Sequence, residues 1–401
     1  MDTKSSIALK IKELSEIYRD YTAKNLSELV KVKSLSGEEA NVQELAMQLM
    51  KEAGFDEVRM DGLGNVIGRI GSGKTIIAID GHIDTVDVGN IANWTSDPFS
   101  GAITEGFVHG RGTVDQKGGI ASFITAGKII KELGVPNDLT IYFVASVMEE
   151  DCDGLCWKYI IEEEKIVPHF VISTEPTNLG LYRGHRGRME ISVSFKGISA
   201  HGSAPERGKN AIYMASKAAL EVEKLNERLK QDDFLGKGSV TISEFVSGSP
   251  SLCAVADFAR LHLDRRLTWG ETKQSALDEV NQLIGSEAEA SVLYYEGKAF
   301  TGLNYGMEKY YPTWKIEESS EIVQKGVEAY TLLYSAAPRV DKWTFSTNGV
   351  AINGMHKIPT IGFGPGNEVM AHAPNEKVPV NDLVVASAFY TMFAFSLSNE
   401  S

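Results

Sequence analysis

Short apolar, β-branched runs alternate with helical stretches from about residue 36 to residue 181, and the alternation resumes after about residue 298. Such a pattern is the signature of an α/β sheet with helices on both faces. EVRM (57–60), NVIGRI (65–70), TIIAID (75–80), LTIYFVASVM (139–148) and FVIST (170–174) read as strands. Helices fit 5–33, 38–53, 117–133 and 154–163, with Ser36-Gly37-Glu38-Glu39 as a capping box opening the second. Near residue 182 the texture changes. Strand 189–195, helix 209–228, strands 239–246 and 255–265, helix 271–285 and strand 290–296 follow, a βαββαβ order of the ferredoxin-like kind. Signals for a helix (317–333), a strand (PTIGFG, 359–364) and a closing helix (381–397) then return. The expected architecture is an α/β domain, residues 1–181 and 298–401, interrupted by an inserted unit, 182–297.

Composition excludes several partners. The net charge of −14 gives no positive field for nucleic acid or anionic membrane. No run of about 18 apolar residues is evident to span a bilayer. MDTKSSIALKIKELSEIYRDY, at the N-terminus, is amphipathic and has no apolar leader region. The three cysteines (Cys152, Cys156, Cys253) are too few and of the wrong parity for a disulfide framework; Cys152 and Cys156, four apart, read as small buried residues, and a cytoplasmic location is expected.

One motif points elsewhere. Gly68–Thr75 reads GRIGSGKT and fits the GxxxxGK[ST] phosphate loop. That loop requires a helix after it, since phosphate sits on the helix's first amides. Here TIIAID follows, a strand, so Gly71-Ser72-Gly73-Lys74 reads as a hairpin turn between two strands. A nucleotide-binding protein remains the alternative that this string supports.

Acidic residues and histidines gather at strand ends, where open α/β sheets place their sites. TIIAID runs into Gly81-His82-Ile83-Asp84. Residues i and i+2 of an extended chain project together, which pairs His82 with Asp84. Asp115 stands in GRGTVDQKGG just before a helix, where it reads equally as an N-cap. Glu149, Glu150 and Asp151 follow the long strand 139–148; as like charges they need a cation or a proton nearby. Glu175 closes a fourth strand, and His372 follows Gly364-Pro365-Gly366-Asn367. Imidazole and carboxylate without thiolate suit Zn, Co or Mn. With one aspartate shared, two ions could each hold one histidine and two carboxylates, leaving a carboxylate free as general base.

The ordered set HxD, GRGxxDxKGG, EE, (S/T)EP, SAHGSxPExGxNA and GPG with AHxPNE resembles the co-catalytic zinc peptidases and deacylases. These include acetylornithine deacetylase, succinyl-diaminopimelate desuccinylase, aminoacylase and the glutamate carboxypeptidases. The likeness covers nearly the whole chain. Within that group the selenium-metabolism-linked hydrolases are most similar, through DGLCWKYIIEEE, SPSLCAVAD, LDRRLTWGET and DKWTFSTNG. The resemblance implies a catalytic domain with a mixed sheet flanked by helices, plus a lid and dimerisation domain at 182–297. It implies two metals, zinc foremost, with His82, Asp115 and Glu175 on one, and Asp115, Glu150 and His372 on the other. Asp84 would orient His82, and Glu149 would act as general base. A cis peptide would join Asp115 to Gln116.

The resemblance further implies a homodimer in which His201 of the lid serves the other subunit's oxyanion. Arg266 would grip a substrate carboxylate, with Arg265 competing for that role, and Asn348 and Gly366 would touch substrate. Ser251–Ala256 lacks the Asn and Pro that many members carry. Phe345–Gly349 stands where many have Gly-Thr-Asp. Tyr182–Arg188 adds cations that either meet an anionic substrate or balance the acidic surface. The implied reaction is hydrolysis of a linear amide: a dipeptide, an N-acyl or an N-carbamoyl amino acid. A non-catalytic relict is a further alternative. No GxSxG or HExxH sequence supports another hydrolase class.

Overall fold

The computed structural model describes residues 3–136 and 138–397. The N-terminal helical stretch is two helices, α1 (Thr3–Ile17) and α2 (Arg19–Val30), separated at Tyr18; α3 (Ala40–Glu52) follows. Strands β1 (Glu57–Met60), β2 (Val66–Gly71) and β3 (Thr75–His82) come next. Helix α4 (Lys117–Leu133), β4 (Leu139–Ser146), α5 (Leu155–Glu162), β5 (Phe170–Ser173) and β6 (Leu181–Tyr182) complete the first segment.

The second unit holds β7 (Gly187–Lys196), α6 (Ala211–Arg228), β8 (Ser239–Gly248), β9 (Phe258–Leu267), α7 (Lys273–Ile284) and β10 (Ala288–Val292). The short strand β11 (Tyr310–Tyr311), α8 (Glu321–Tyr334), β12 (Val340–Asp341), β13 (Thr360–Gly362) and α9 (Val380–Leu397) return the chain to the first sheet.

The large sheet runs β1-β2-β4-β3-β5-β13-β6-β12. It is mixed: β4, β3, β5 and β13 are parallel, while β1, β2 and β6 pair antiparallel. Its inner strands are β-branched and apolar because both faces are covered. Ile77, Ala78 and Ile79 of β3, and Ile141, Phe143 and Val144 of β4, are buried in one core with α4 and α9.

Helix α9 is apolar on all sides, long and apolar enough by composition to cross a membrane, which corrects the expectation that no such run exists. It is 72% buried inside the protein and packs on α1, α4 and α8. It is a core helix.

The hairpin expected at Gly71–Lys74 does not form. β4 lies between β2 and β3, so the loop crosses the start of β4. The phosphate reading is overturned by the same geometry. Gly71 N donates to Asp56 Oδ2, Gly73 N to Leu139 O, Lys74 N to Asp138 Oδ1 and Thr75 N to Asp138 O. These four amides are spent inside the protein and a strand, not a helix, follows the loop, so no phosphate cradle forms.

The second sheet is antiparallel in the order β8-β9-β7-β10, with β11 also on β7. Its own core takes Met189, Ile191, Val193, Leu261 and Leu263 from the sheet, and Ala215, Val222, Ala276 and Val280 from its helices. The strand expected over 290–296 stops at Val292. Tyr294–Lys298 pairs instead with Asn304–Glu308, and Tyr295, Ala299 and Met307 pack on the first core.

Candidate active site

Strands β3, β4 and β5 run in parallel, and their C-terminal ends deliver His82, the turn after Ser146 and Glu175 to one place. The Asp115 loop and the His372 loop close over them. His82 is 1% exposed. Its Nδ1 lies 2.9 Å from the Asp84 carbonyl oxygen and its Nε2 2.8 Å from Asp115 Oδ1. With Nδ1–H donating to that carbonyl, Nε2 keeps its lone pair for a cation. Glu149 Oε2 and Glu175 Oε1 lie 3.8 and 3.7 Å from the same Nε2. On the other side, His372 Nε2 is 3.2 Å from Asp115 Oδ2 and 3.0 Å from Glu150 Oε2.

Two donor groups result, His82–Asp115–Glu175 and Asp115–Glu150–His372, each with its ligand atoms within 4.8 Å of one another. Asp115 belongs to both through different oxygens. It is not an N-cap: Gln116 holds the residue before α4, and the Asp115–Gln116 bond is cis. Neither cysteine of the first domain joins the groups. Cys152 and Cys156 are buried and reduced.

The electrostatics match this donor set. Burial, together with neighbouring carboxylates, pushes Glu149 and Glu175 well above the usual carboxylate range. Glu150 rises to about 7 through burial and the charge of Asp115. Asp115 alone is held low, because His372 and His82 outweigh its burial. Burial would lower His82, but the charge of Glu149 and the bond to Asp115 raise it. His372 rises to about 10 through its bonds to Asp115 and Glu150. Glu149 Oε1 and Glu175 Oε2 are buried without a hydrogen-bond partner. So many enclosed carboxylates with unfilled oxygens, and no thiolate, fit divalent cations between them.

The Glu149–Glu150 turn is held from behind. Met148 N donates to Glu39 Oε1 at 3.1 Å, Glu149 N to Asp84 Oδ1 at 3.2 Å, and Glu150 N to Asp84 Oδ2 at 3.0 Å. Met148 sits at φ +59, and Ser36 Oγ donates to Asp84 Oδ2. This corrects one expectation and sharpens another. Ser36 and Glu39 do not cap α3, which has no side-chain cap; they serve the site. Asp84 meets His82 Nδ1 through its backbone oxygen, its carboxylate lying 3.6 Å away and holding the turn. Burial and the charge of Asp84 lift Glu39 to about 8.

A second hub escaped the sequence reading. Glu376 is fully buried and accepts from Arg111 Nη1 (2.7 Å), Gly112 N, Val114 N and Asp115 N. Arg111 also reaches the carbonyls of His372 and Ala373. One ion pair thereby fastens the Asp115 loop to the His372 loop. Lys117 turns away, its ammonium on the Leu29 and Val32 carbonyls.

A cavity of about 340 Å³ opens over the cluster, walled by Arg188 and Arg266 of the second sheet and by Asp153, Phe345, Ser346 and Glu368. Arg265 is no rival to Arg266: it is fully buried, bonded to Glu271 and Glu279. Asn348 is 1% exposed behind the site. Its Nδ2 donates to Asp80 Oδ2 and Ser146 Oγ, and its Oδ1 accepts from Gly154 N and Cys156 Sγ. It is a structural residue, which corrects its assignment to substrate. Gly366 is likewise enclosed, at φ +86 against Val114, its amide on Asp382 Oδ2. His201 lies exposed on the second unit, its ring held by Ser203, and does not line the cavity of its own chain.

A thiol-free cluster of histidine and carboxylate at the strand ends of an α/β sheet, facing a second sheet across a cavity, defines a metal-dependent hydrolase. The chain belongs to peptidase family M20/M25/M40, whose profile matches residues 78–396. It is an amide-cleaving metallohydrolase of that family. Over 394 residues it is 50% identical to the uncharacterized protein YgeY of Escherichia coli K12, covering 97% of this chain and 98% of that one. Succinyl-diaminopimelate desuccinylase of Cereibacter sphaeroides is 28% identical over 91% of this chain and 95% of its own. Among solved structures, aminopeptidase PepT of Bacillus cereus shares the fold, with a TM-score of 0.73 at 21% identity over 95% of this chain and 99% of its own.

Proposed function

We propose that the protein hydrolyses a small linear amide (a dipeptide, an N-acyl or an N-carbamoyl amino acid) with two divalent ions, zinc foremost, in the cluster. His82, Asp115 and Glu175 hold one; Asp115, Glu150 and His372 hold the other. The observation that carries this reading is the sharing of Asp115 between two donor groups, through Oδ1 and Oδ2. Such a pair supplies Lewis acidity, polarising a carbonyl and acidifying a water.

Glu149 is the base. It reaches the cluster but belongs to neither donor group, and burial raises its proton affinity above that of an ordinary carboxylate, which suits it to take up a proton. It takes one proton from the attacking water as oxygen bonds to the carbonyl carbon. It then gives that proton to the leaving nitrogen as the C–N bond breaks. Arg266 holds a substrate carboxylate from the opposite wall. His201 serves the oxyanion of a second copy in a homodimer paired through the second unit. Three free cysteines, two buried and Cys253 exposed, support a cytosolic location.

A panel of dipeptides, N-acyl and N-carbamoyl amino acids, offered to Zn-, Co- and Mn-loaded protein, tests this. Turnover of at least one class, abolished by chelator and restored by metal, is expected. No turnover of any member with metal bound contradicts it.

A further inference from the structure

Two arginines face the cluster from the second sheet. Arg188 of β7 and Arg266 of β9 are direct cross-strand partners, so both project from the same face into the cavity. Like charges directly opposite one another are unfavourable unless anions compensate. Three carboxylates compensate the pair here but leave hydrogen-bond donors open. Arg266 meets Asp264 through Nε (2.8 Å) and Nη2 (3.0 Å). Arg188 meets Glu190 at 3.4 Å and Asp153 at 3.7 Å, both through Nη2. Its guanidinium lies over the Tyr311 ring at 4.7 Å. Its Nε is buried without a partner, and neither Nη1 donates to an acid or a carbonyl among the described residues.

The other cations of this region are committed elsewhere. Arg183 donates to the Ile316 carbonyl and lies over Phe234, Arg186 donates to the Lys237 carbonyl, and Arg265 is paired. Of the run Tyr182–Arg188, only Arg188 reaches the cavity. Guanidinium forks with free edges select carboxylates. A cavity of about 340 Å³ sits at the small end of ligand pockets.

We propose that Arg188 is a second anion-recognition residue beside Arg266. The substrate is then a compact amide bearing two carboxylates, one for each arginine, such as an N-acyl amino acid with a further acid group on either half. The inference rests on the hydrolase reading above and deepens it.

The test uses charge-matched pairs with metal-loaded full-length protein: N-succinyl- against N-butanoyl-L-alanine, and N-acetyl-L-glutamate against N-acetyl-L-glutamine. The wild type is expected to prefer the dianion of at least one pair by about tenfold or more in kcat/KM. Arg188→Gln should bring that ratio close to one, acting chiefly through KM. Arg188→Lys should restore part of it, and Arg186→Gln should leave it. Metal content and circular dichroism confirm that each variant is folded and loaded. A wild type without charge preference, or a ratio that survives in Arg188→Gln, overturns the inference while leaving the hydrolase reading intact. No turnover of any amide overturns both.

Discussion

The two halves of the cluster are built differently. His82 and Glu175 are enclosed at the ends of sheet strands, 1% and 2% exposed, and Asp115 is enclosed on the loop before α4, 7% exposed. The half that adds Glu150 and His372 is more open, with the His372 side chain 52% exposed on a loop at φ +61. Strand pairing places His82 and Glu175 of the first half. The second half depends on side chains that tie loops together, namely Glu376 with Arg111 and Asp84 with Glu39. A sheet fixes ligands by backbone register, whereas a loop needs dedicated buried polar contacts to reach the same precision. The open half should therefore lose its metal first, and should be the half that distant substitutions disturb.

The largest test removes what the halves share. Asp115→Ala should lower kcat/KM by at least about a thousandfold and reduce both sites' occupancy, read by elemental analysis. Retention of one fully occupied ion would show that the halves are independent. Next, Glu376→Ala leaves the buried Arg111 uncompensated. It should cost about 3–5 kcal/mol of stability in a denaturant titration. It should also weaken metal binding about 10–100-fold, and more in the His372 half, whose loop Glu376 and Arg111 fasten, than in the His82 half, which meets that network only through Asp115, read by metal titration. Equal weakening of both would erase the contrast.

Glu39→Ala removes one carboxylate from the Met148–Glu150 turn. A loss of about 1–3 kcal/mol, with a fall in kcat larger than any change in KM, is expected. The smallest effect is in pH. In metal-free protein His372 titrates at about 10 against about 6.5 unfolded. Its contribution is full below pH 6.5 and is lost as pH rises to about 10. The melting temperature of metal-free protein should fall modestly across that window, and the fall should be absent in His372→Ala.

Most of the cluster was legible in the sequence because its residues stand at strand ends or in glycine-rich loops, where local signals coincide with chemistry. His82, Glu149, Glu150 and Glu175 follow apolar runs that any sheet would bury. What was hidden depends on long-range pairing. The insertion of β4 between β2 and β3 joins residues about 70 positions apart, and it turned an apparent hairpin into a crossing loop. The Arg111–Glu376 pair spans 265 positions and leaves no local trace. Ser36 and Glu39 carried the letters of a helix cap, yet their side chains point to Asp84 and Met148. Asn348 looked like a binding residue from its place in the chain, but burial commits it to Asp80 and Ser146.

The central claim is that five residues hold metal while Glu149, inside the same cluster, does not. Glu149→Gln with parallel metal analysis addresses it directly. The account predicts two ions per chain, as in the wild type, with kcat lowered about 10²–10⁴-fold. Wild-type turnover, or loss of an ion, would contradict it.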